Sequence, residues 1–305
     1  MLYHVPVLAE ESIDALAIKP DGIYIDATFG GGGHSALILK ALGDTGRLIA
    51  FDQDEDASQN LPEDDRLTFV QHNFRFIKRF LRLYRVDKVD GILADLGVSS
   101  FQLDEEQRGF SYRFDSRLDM RMNQAAGETA AQLLNRYSEE DLVRIFSQYG
   151  EVRNAKTLAT RIVEVRKVRP ILSVGDFMVI LEPLIKGQRL RYLSQVFQAL
   201  RIEVNDEMGA LQDFLLETLD ILKPGGRLVV ITYHSIEDRL VKRFMKSGNK
   251  GGEVEKDFYG NIHRPFNIIT KKALLPGNAE LKRNPRARSA KLRVGALSIK
   301  EETNG

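Results

Sequence analysis

The chain has 305 residues, 43% of them hydrophobic, with 44 Lys and Arg against 43 Asp and Glu, for a net charge of +1. That length suits one large domain or two with a sizeable core, and no apolar run reaches the roughly 18 residues that span a membrane. There is no cysteine, which excludes disulfides, thiolate zinc sites and a cysteine nucleophile.

The segment Met1–Pro6 lacks a basic stretch followed by a long apolar core. The expectation is a cytoplasmic chain without a signal peptide. The charge is uneven. From Arg264 to Lys300 there are ten Lys or Arg and one acid, Glu280. Such a stretch can attract nucleic acid or be a solvated surface.

In chain order, Val7–Ala17 predicts a helix, and Lys19-Pro20-Asp21-Gly22 a turn. Ile23–Ala27 is a short β-favouring run that meets four glycines, Gly30–Gly33, and then a helix over Ser35–Leu42. Strand, glycine loop and helix N-terminus together cradle nucleotide-like cofactors, because a residue without Cβ lets the backbone approach a ligand. Further strands are expected at Arg47–Phe51, Leu67–Val70 and Val89–Ala94, with a basic amphipathic helix over Phe76–Tyr84. Strands alternating with helices predict a parallel, doubly wound α/β sheet with its ligand at the carboxyl ends of the strands.

Asp26, Asp52 and Asp95 each end a predicted strand. Asp52 lies about twenty residues past the glycines, where a carboxylate can accept both ribose hydroxyl protons. Gly31-Gly32-Gly33-His34-Ser35-Ala36 formally matches a dinucleotide fingerprint, so NAD remains open. Asp26 argues against it, since a carboxylate just before the loop would repel a pyrophosphate. S-adenosylmethionine carries an ammonium, a sulfonium, a ribose and no phosphate, and suits the acids better. Phe74 could pack on its adenine or belong to the core.

After Asp95 the alternation stops. A polar loop, Leu96–Asp104, leads into an aperiodic stretch and then into helices. Ser138 opens one helix, with Leu142, Ile145, Phe146 and Tyr149 striped along it. Asn154 is placed to cap a second, and Ser173–Asp176 to start a third. The expected layout is a first α/β part over 1–106, a helical substrate-binding subdomain inserted over 107–204, and a second α/β part over 205–305. A stripe from Leu200 to Leu222 predicts one long helix, broken by Lys223-Pro224-Gly225-Gly226 ahead of a strand at Arg227–Thr232. His234 follows that strand beside the same crevice, and Ser235 is placed to cap the next helix.

The motifs Asp26-x-Thr28-x-Gly30-x-x-Gly33-His34-Ser35, Asp95-Leu96-Gly97-Val98-Ser99-Ser100-x-Gln102-Leu103-Asp104 and Leu118-Asp119-Met120-Arg121-Met122 mark a known family. So do Phe197-Gln198-Ala199-Leu200-Arg201-Ile202-x-Val204-Asn205, His234-Ser235-x-Glu237-Asp238-Arg239 and Asn284-Pro285-Arg286-Ala287-Arg288-Ser289. The chain resembles, from residue 4 to residue 293, the bacterial 16S ribosomal RNA (cytosine-N4)-methyltransferase family, RsmH or MraW. The resemblance implies a class I (Rossmann-like) S-adenosylmethionine-dependent methyltransferase sheet with an inserted all-helical subdomain. It implies N4-methylation of a decoding-centre cytosine in 16S rRNA. The expected partner is that rRNA in the assembled small subunit, with naked RNA and a homodimer left open, and neither a membrane nor a metal is expected. Carried over residue by residue, the cofactor contacts would be Gly32, Gly33, His34, Asp52, Phe74, Asp95 and Gln102.

Chemistry fits this. Methylation at C5 of cytosine needs a thiolate to add to the ring, and the chain has none. Methylation at N4 needs acceptors that hold the amine while positive charge builds on nitrogen. Asp95 could serve cofactor, target amine or both, and His234 could orient the base or take a proton. Phe101, Phe110, Tyr112 and Tyr233 could stack on an unstacked base, and Arg283, Arg286, Arg288, Lys291 and Arg293 could hold phosphates.

Overall fold

The computed structural model describes residues 6–254 and 264–299. Residue 4, where the motifs begin, and Lys300, the last of the basic residues counted, lie outside the described residues.

The chain begins with α1 (Ala9–Leu16), β1 (Ile23–Asp26), α2 (Gly33–Ala41), β2 (Arg47–Asp52), β3 (Leu67–Gln71), α3 (Ile77–Leu83) and β4 (Val89–Asp95). Six helices follow: α4 (Ser100–Asp104), α5 (Ala130–Arg136), α6 (Glu139–Gln148), α7 (Ala155–Arg166), α8 (Val174–Leu181) and α9 (Arg189–Val204). The remainder is α10 (Glu207–Ile221), β5 (Leu222–Thr232), α11 (Ser235–Ser247), β6 (Phe266–Ile268), α12 (Asn278–Arg283) and β7 (Lys291–Leu297). Two compact units result: Met1–Gly97 with Gly209–Gly305, and Val98–Met208.

The first unit holds a seven-stranded sheet in the order β3-β2-β1-β4-β5-β7-β6. β1 to β5 are parallel, and β7 runs antiparallel to both β5 and β6. β4 is buried along its length except for its last residue, Asp95, as expected of a strand covered on both faces. The chain winds outward from β1 to β3, then returns to β4 beside β1. The order reverses there, and the carboxyl ends of β1 and β4 frame a ligand crevice. The expected class I methyltransferase sheet is therefore present.

Two sequence expectations about the second half fail. The long helix is two, α9 and α10, separated at Asn205-Asp206. Asn205 Oδ1 accepts from Met122 N, and its Nδ2 donates to the carbonyls of Met120 and Arg201. Those bonds spend the side chain on ending α9, and Asp206 turns left-handed at φ 46°. Second, Lys223-Pro224-Gly225-Gly226 does not precede the strand but lies within it. Val89 pairs with Leu222 and Gly91 with Arg227, so the intervening residues bulge out of β5. Gly225 takes φ +79° there, a conformation that a side chain would strain.

The second unit is helical around a core that includes Leu142, Ile145, Phe146, Leu158, Ile162, Phe177 and Phe197. Leu142, Ile145 and Phe146 of the α6 stripe are buried, while Tyr149 is the half-buried C-cap of the helix. Ser138 caps α6 by accepting from Asp141 N, and Ser173 and Asp176 close a full capping box on α8. Asn154 precedes α7 without capping it through its side chain; its amide donates to Leu184 O instead. Phe110 is buried in this core at 6% exposure, so it is unavailable for stacking on a base. Tyr112 packs edge-on against Phe197, while Phe101 is exposed.

The basic C-terminal stretch also divides. Arg293 and Lys291 on β7 pair with Asp238 of α11, at 2.6 and 3.3 Å. Burial works against the Asp238 charge, yet the Arg293 guanidinium and the Lys291 ammonium hold its carboxyl below the usual range. Those two cations are paired within the protein, whereas Arg283 and Arg288 remain exposed. Breaking a largely buried pair leaves the partner charge uncompensated. Arg293→Ala is therefore expected to cost about 3 kcal/mol in urea denaturation, while Arg288→Ala leaves stability within about 0.5 kcal/mol.

Candidate active site

The site is built on the loop after β1. Asp26 is fully buried, and its carboxylate is committed on both sides: Oδ1 accepts from Thr28 N at 3.1 Å and Oδ2 from Ser35 Oγ at 2.7 Å. One side chain thus ties the end of β1 to the first turn of α2 and sets the width of the glycine loop between them. Burial pushes its carboxyl up, opposed by His34, Ser35 and Thr28. The sequence reading aimed this acid at a cofactor ammonium; the fold instead spends it on the loop, because β1 carries it into the core.

Of the four glycines, Gly30 and Gly32 take φ of +53° and +74°. Gly31 sits exposed at the apex, where an added Cβ would meet nothing within 4 Å. Bare backbone faces outward there. Gly33 already opens α2, two residues earlier than the spacing suggests.

Asp52, at the end of β2, accepts from Gly30 N through Oδ2 at 2.7 Å and from Asp54 N through Oδ1 at 2.9 Å. Burial raises its carboxyl to about 6 against the pull of those amides. Asp95, at the end of β4, has a side chain 22% exposed. Its backbone N donates to Thr28 Oγ1 at 2.7 Å, linking the end of β4 to the loop after β1. Its Oδ1 accepts from the Tyr233 hydroxyl at 2.8 Å, and its Oδ2 lies 3.7 Å from His34 Nδ1. Burial lifts Asp95 to about 6, while His34 and the Tyr233 hydroxyl pull the other way.

His34 is 5% exposed, and its Nε2 lies 3.0 Å from Val7 O. A carbonyl only accepts, so Nε2 carries a proton and Nδ1 faces Asp95. Phe74 is half-buried, with its ring edge-on to Phe214 at 5.1 Å. Gln102 belongs to the helical unit, where its Oε1 accepts from Ser99 N and its own N donates to Ser99 Oγ, closing the box that starts α4.

His234, not Ser235, is the N-cap of α11. Its Nδ1 accepts from Glu237 N at 3.4 Å, and its Nε2 lies 3.1 Å from Glu237 Oε1, close but without hydrogen-bond geometry. The imidazole is thus turned back onto its own helix. Glu237 Oε2 in turn accepts from Tyr233 N at 2.9 Å. Tyr233 is the residue that sequence reasoning undervalued. It stood there as one stacking aromatic among four, and its bond to Asp95 joins residues 138 apart.

The arrangement fits a cationic, phosphate-free cofactor. Two partly open carboxylates, Asp52 and Asp95, flank a bare glycine apex, and the crevice lies at the topological switch of the sheet. Such a fold and site define a class I S-adenosylmethionine-dependent methyltransferase. The chain belongs to the MraW methylase family, whose family model it matches over residues 1–297.

Among curated relatives, it is 56% identical over 294 residues to the ribosomal RNA small subunit methyltransferase H of Phocaeicola vulgatus, covering 96% of this chain and 97% of that one. It is 55% identical over 295 residues to the protein of the same name from Flavobacterium johnsoniae, with 96% and 97% covered. Among solved structures, an rRNA methylase of Streptococcus thermophilus aligns at 14% identity and a TM-score of 0.41 over 98% of this chain and 99% of that one, too distant to bear on function. Among the described residues no helix is long and apolar enough to cross a membrane.

The loop geometry itself is testable. Ser35→Ala removes the hydroxyl donor that holds Oδ2 of the buried Asp26 carboxylate. It is expected to destabilise the protein by about 1–3 kcal/mol in chemical denaturation, the cost of an unsatisfied buried acceptor.

Proposed function

We propose that this chain transfers a methyl group from S-adenosylmethionine to the exocyclic N4 of a decoding-centre cytosine in 16S rRNA, acting in the cytoplasm on an assembled small subunit. The observation that carries the reading is Asp95: a carboxylate at the end of β4, open enough to be reached and oriented by fixed partners. The relatives named for small-subunit ribosomal RNA supply the substrate class, and the absence of cysteine closes the C5 route.

In this proposal the bound cofactor supplies a methyl group on a sulfonium. Asp52 would accept the ribose hydroxyls on the lone pairs that its amide donors leave free. The loop backbone around Gly32 and Gly33, with His34, lines the methionine end, and Phe74 borders the adenine. Asp95 accepts an N–H of the target amine, which turns the nitrogen lone pair out of ring conjugation. The same carboxylate stabilises the positive charge that develops on nitrogen and takes the released proton. His234 is assigned a positioning part, since its ring serves the first turn of α11. The helical unit is proposed to hold the substrate, and exposed Arg283 and Arg288 to meet RNA phosphates.

Incubated with tritium-labelled S-adenosylmethionine, the protein is expected to label 30S particles that lack the modification, and nucleoside mass spectrometry should place the methyl on N4 of cytosine. Asp95→Ala should abolish the transfer; an undiminished signal would sink the assignment. Asp52→Ala should weaken cofactor affinity roughly ten- to a hundred-fold, read by calorimetry. Asp52 and Asp95 both lose charge as pH falls through about 6. Calorimetric affinity for the cofactor should therefore drop between pH 7.5 and pH 5, because a protonated acid accepts less well.

A further inference from the structure

The Asp95 carboxylate could rotate about its Cβ–Cγ bond, and it sits where burial favours its neutral form. Either freedom would spoil an acceptor. The groups that bear on it come from four places in the fold: His34 from α2, Asp26 from β1, Glu237 from α11 and Tyr233 from the turn after β5. Asp26 and Glu237 disfavour the charge, and His34 stands 3.7 Å off, beyond hydrogen-bond length. The Tyr233 hydroxyl, at 2.8 Å, is the close donor.

Tyr233 is itself held. Its backbone N is tied to Glu237 Oε2 at 2.9 Å, and its ring lies along Gly97, where an added Cβ would meet Cδ2 at 3.5 Å. The ring also packs against the apolar cluster of Leu8, Leu93, Val229 and Ile231. Burial, with the Asp95 charge, pushes the phenol far up, and Glu237 and Glu280 of α12 act in the same direction. The hydroxyl therefore keeps its proton and can only donate to the carboxylate. A donor that cannot ionise, on a ring that cannot swing, fixes the acceptor's rotation and favours its charged state.

We propose that Tyr233 is a positioning residue for the methyl transfer: its hydroxyl fixes the Asp95 carboxylate through Oδ1 and keeps it an ionised acceptor, with Oδ2 turned to the reacting amine. The inference rests on the assignment of Asp95 made under Proposed function. It differs from a packing role, because the ring alone would serve packing, whereas positioning needs the oxygen.

The test is the pH dependence of kcat on unmodified 30S particles at saturating S-adenosylmethionine. It compares the wild type, Tyr233→Phe, a protein carrying 3-fluorotyrosine at 233, and Asp95→Asn, with melting temperatures alongside. Tyr233→Phe keeps the ring and removes the donor. Its acid limb should move up by about one pH unit, with kcat at pH 6 reduced more than kcat at pH 8. The fluorinated phenol is a stronger donor of nearly the same shape, so its limb should move toward lower pH. It also keeps the question answerable if the Phe variant fails to fold. Limbs that coincide with wild type in the variants that fold, with Asp95→Asn inactive, overturn the positioning role and leave the assignment of Asp95 standing. An active Asp95→Asn overturns both.

Discussion

A buried carboxylate at the end of β1 organises this protein. Asp26 cannot be left bare in the core, so the chain must bring donors to it. It brings Thr28 N from one side of the glycine loop and Ser35 Oγ from the other. Thr28 Oγ1 then accepts from Asp95 N, which links the loop to the end of β4. Asp95 accepts from Tyr233, and Tyr233 N is held by Glu237 in the first turn of α11. One line of hydrogen bonds thus crosses the carboxyl ends of β1, β4 and β5. Every member of that line is hydrogen-bonded to the next.

The same burial that makes the line strong tunes its acids. Asp52 and Asp95 sit at strand ends, half out of the core, and both are raised to about 6. They are charged at neutral pH at a cost that the surrounding donors offset in part. A cofactor carrying an ammonium and a sulfonium would offset more of it, which is the electrostatic reason such acids suit this family. A pyrophosphate would add to the cost. The choice between the two cofactor classes, open from the glycine pattern alone, follows from where the acids stand.

Several side chains that looked functional in isolation have partners within the protein. Arg293 and Lys291 belong to a pair with Asp238 that joins β7 to α11. His234 follows β5 by two residues, and its ring closes the cap of α11. Phe110 fills the helical core. In each case the residue type was compatible with substrate contact, and the deciding fact was which way the backbone turned it. Tyr233 is the converse: an aromatic that looked like a stacking surface and proved to be a donor to the central acid.

What the sequence by itself determined is local. Apolar runs of strand length end at Asp26, Asp52 and Asp95, and the glycines mark a loop that needs positive φ. Serines three residues before an acid mark helix starts, because cap and helix are neighbours in the chain. The strand order, the bulge within β5 and the split between α9 and α10 were decided by tertiary structure. Each depends on a partner far along the chain: Leu222 finding Val89, Asn205 finding Met122. The same holds for the site's chemistry. Asp95 was legible as a strand-end acid, but its fixed acceptor geometry exists only once the sheet brings Tyr233 across 138 residues to meet it.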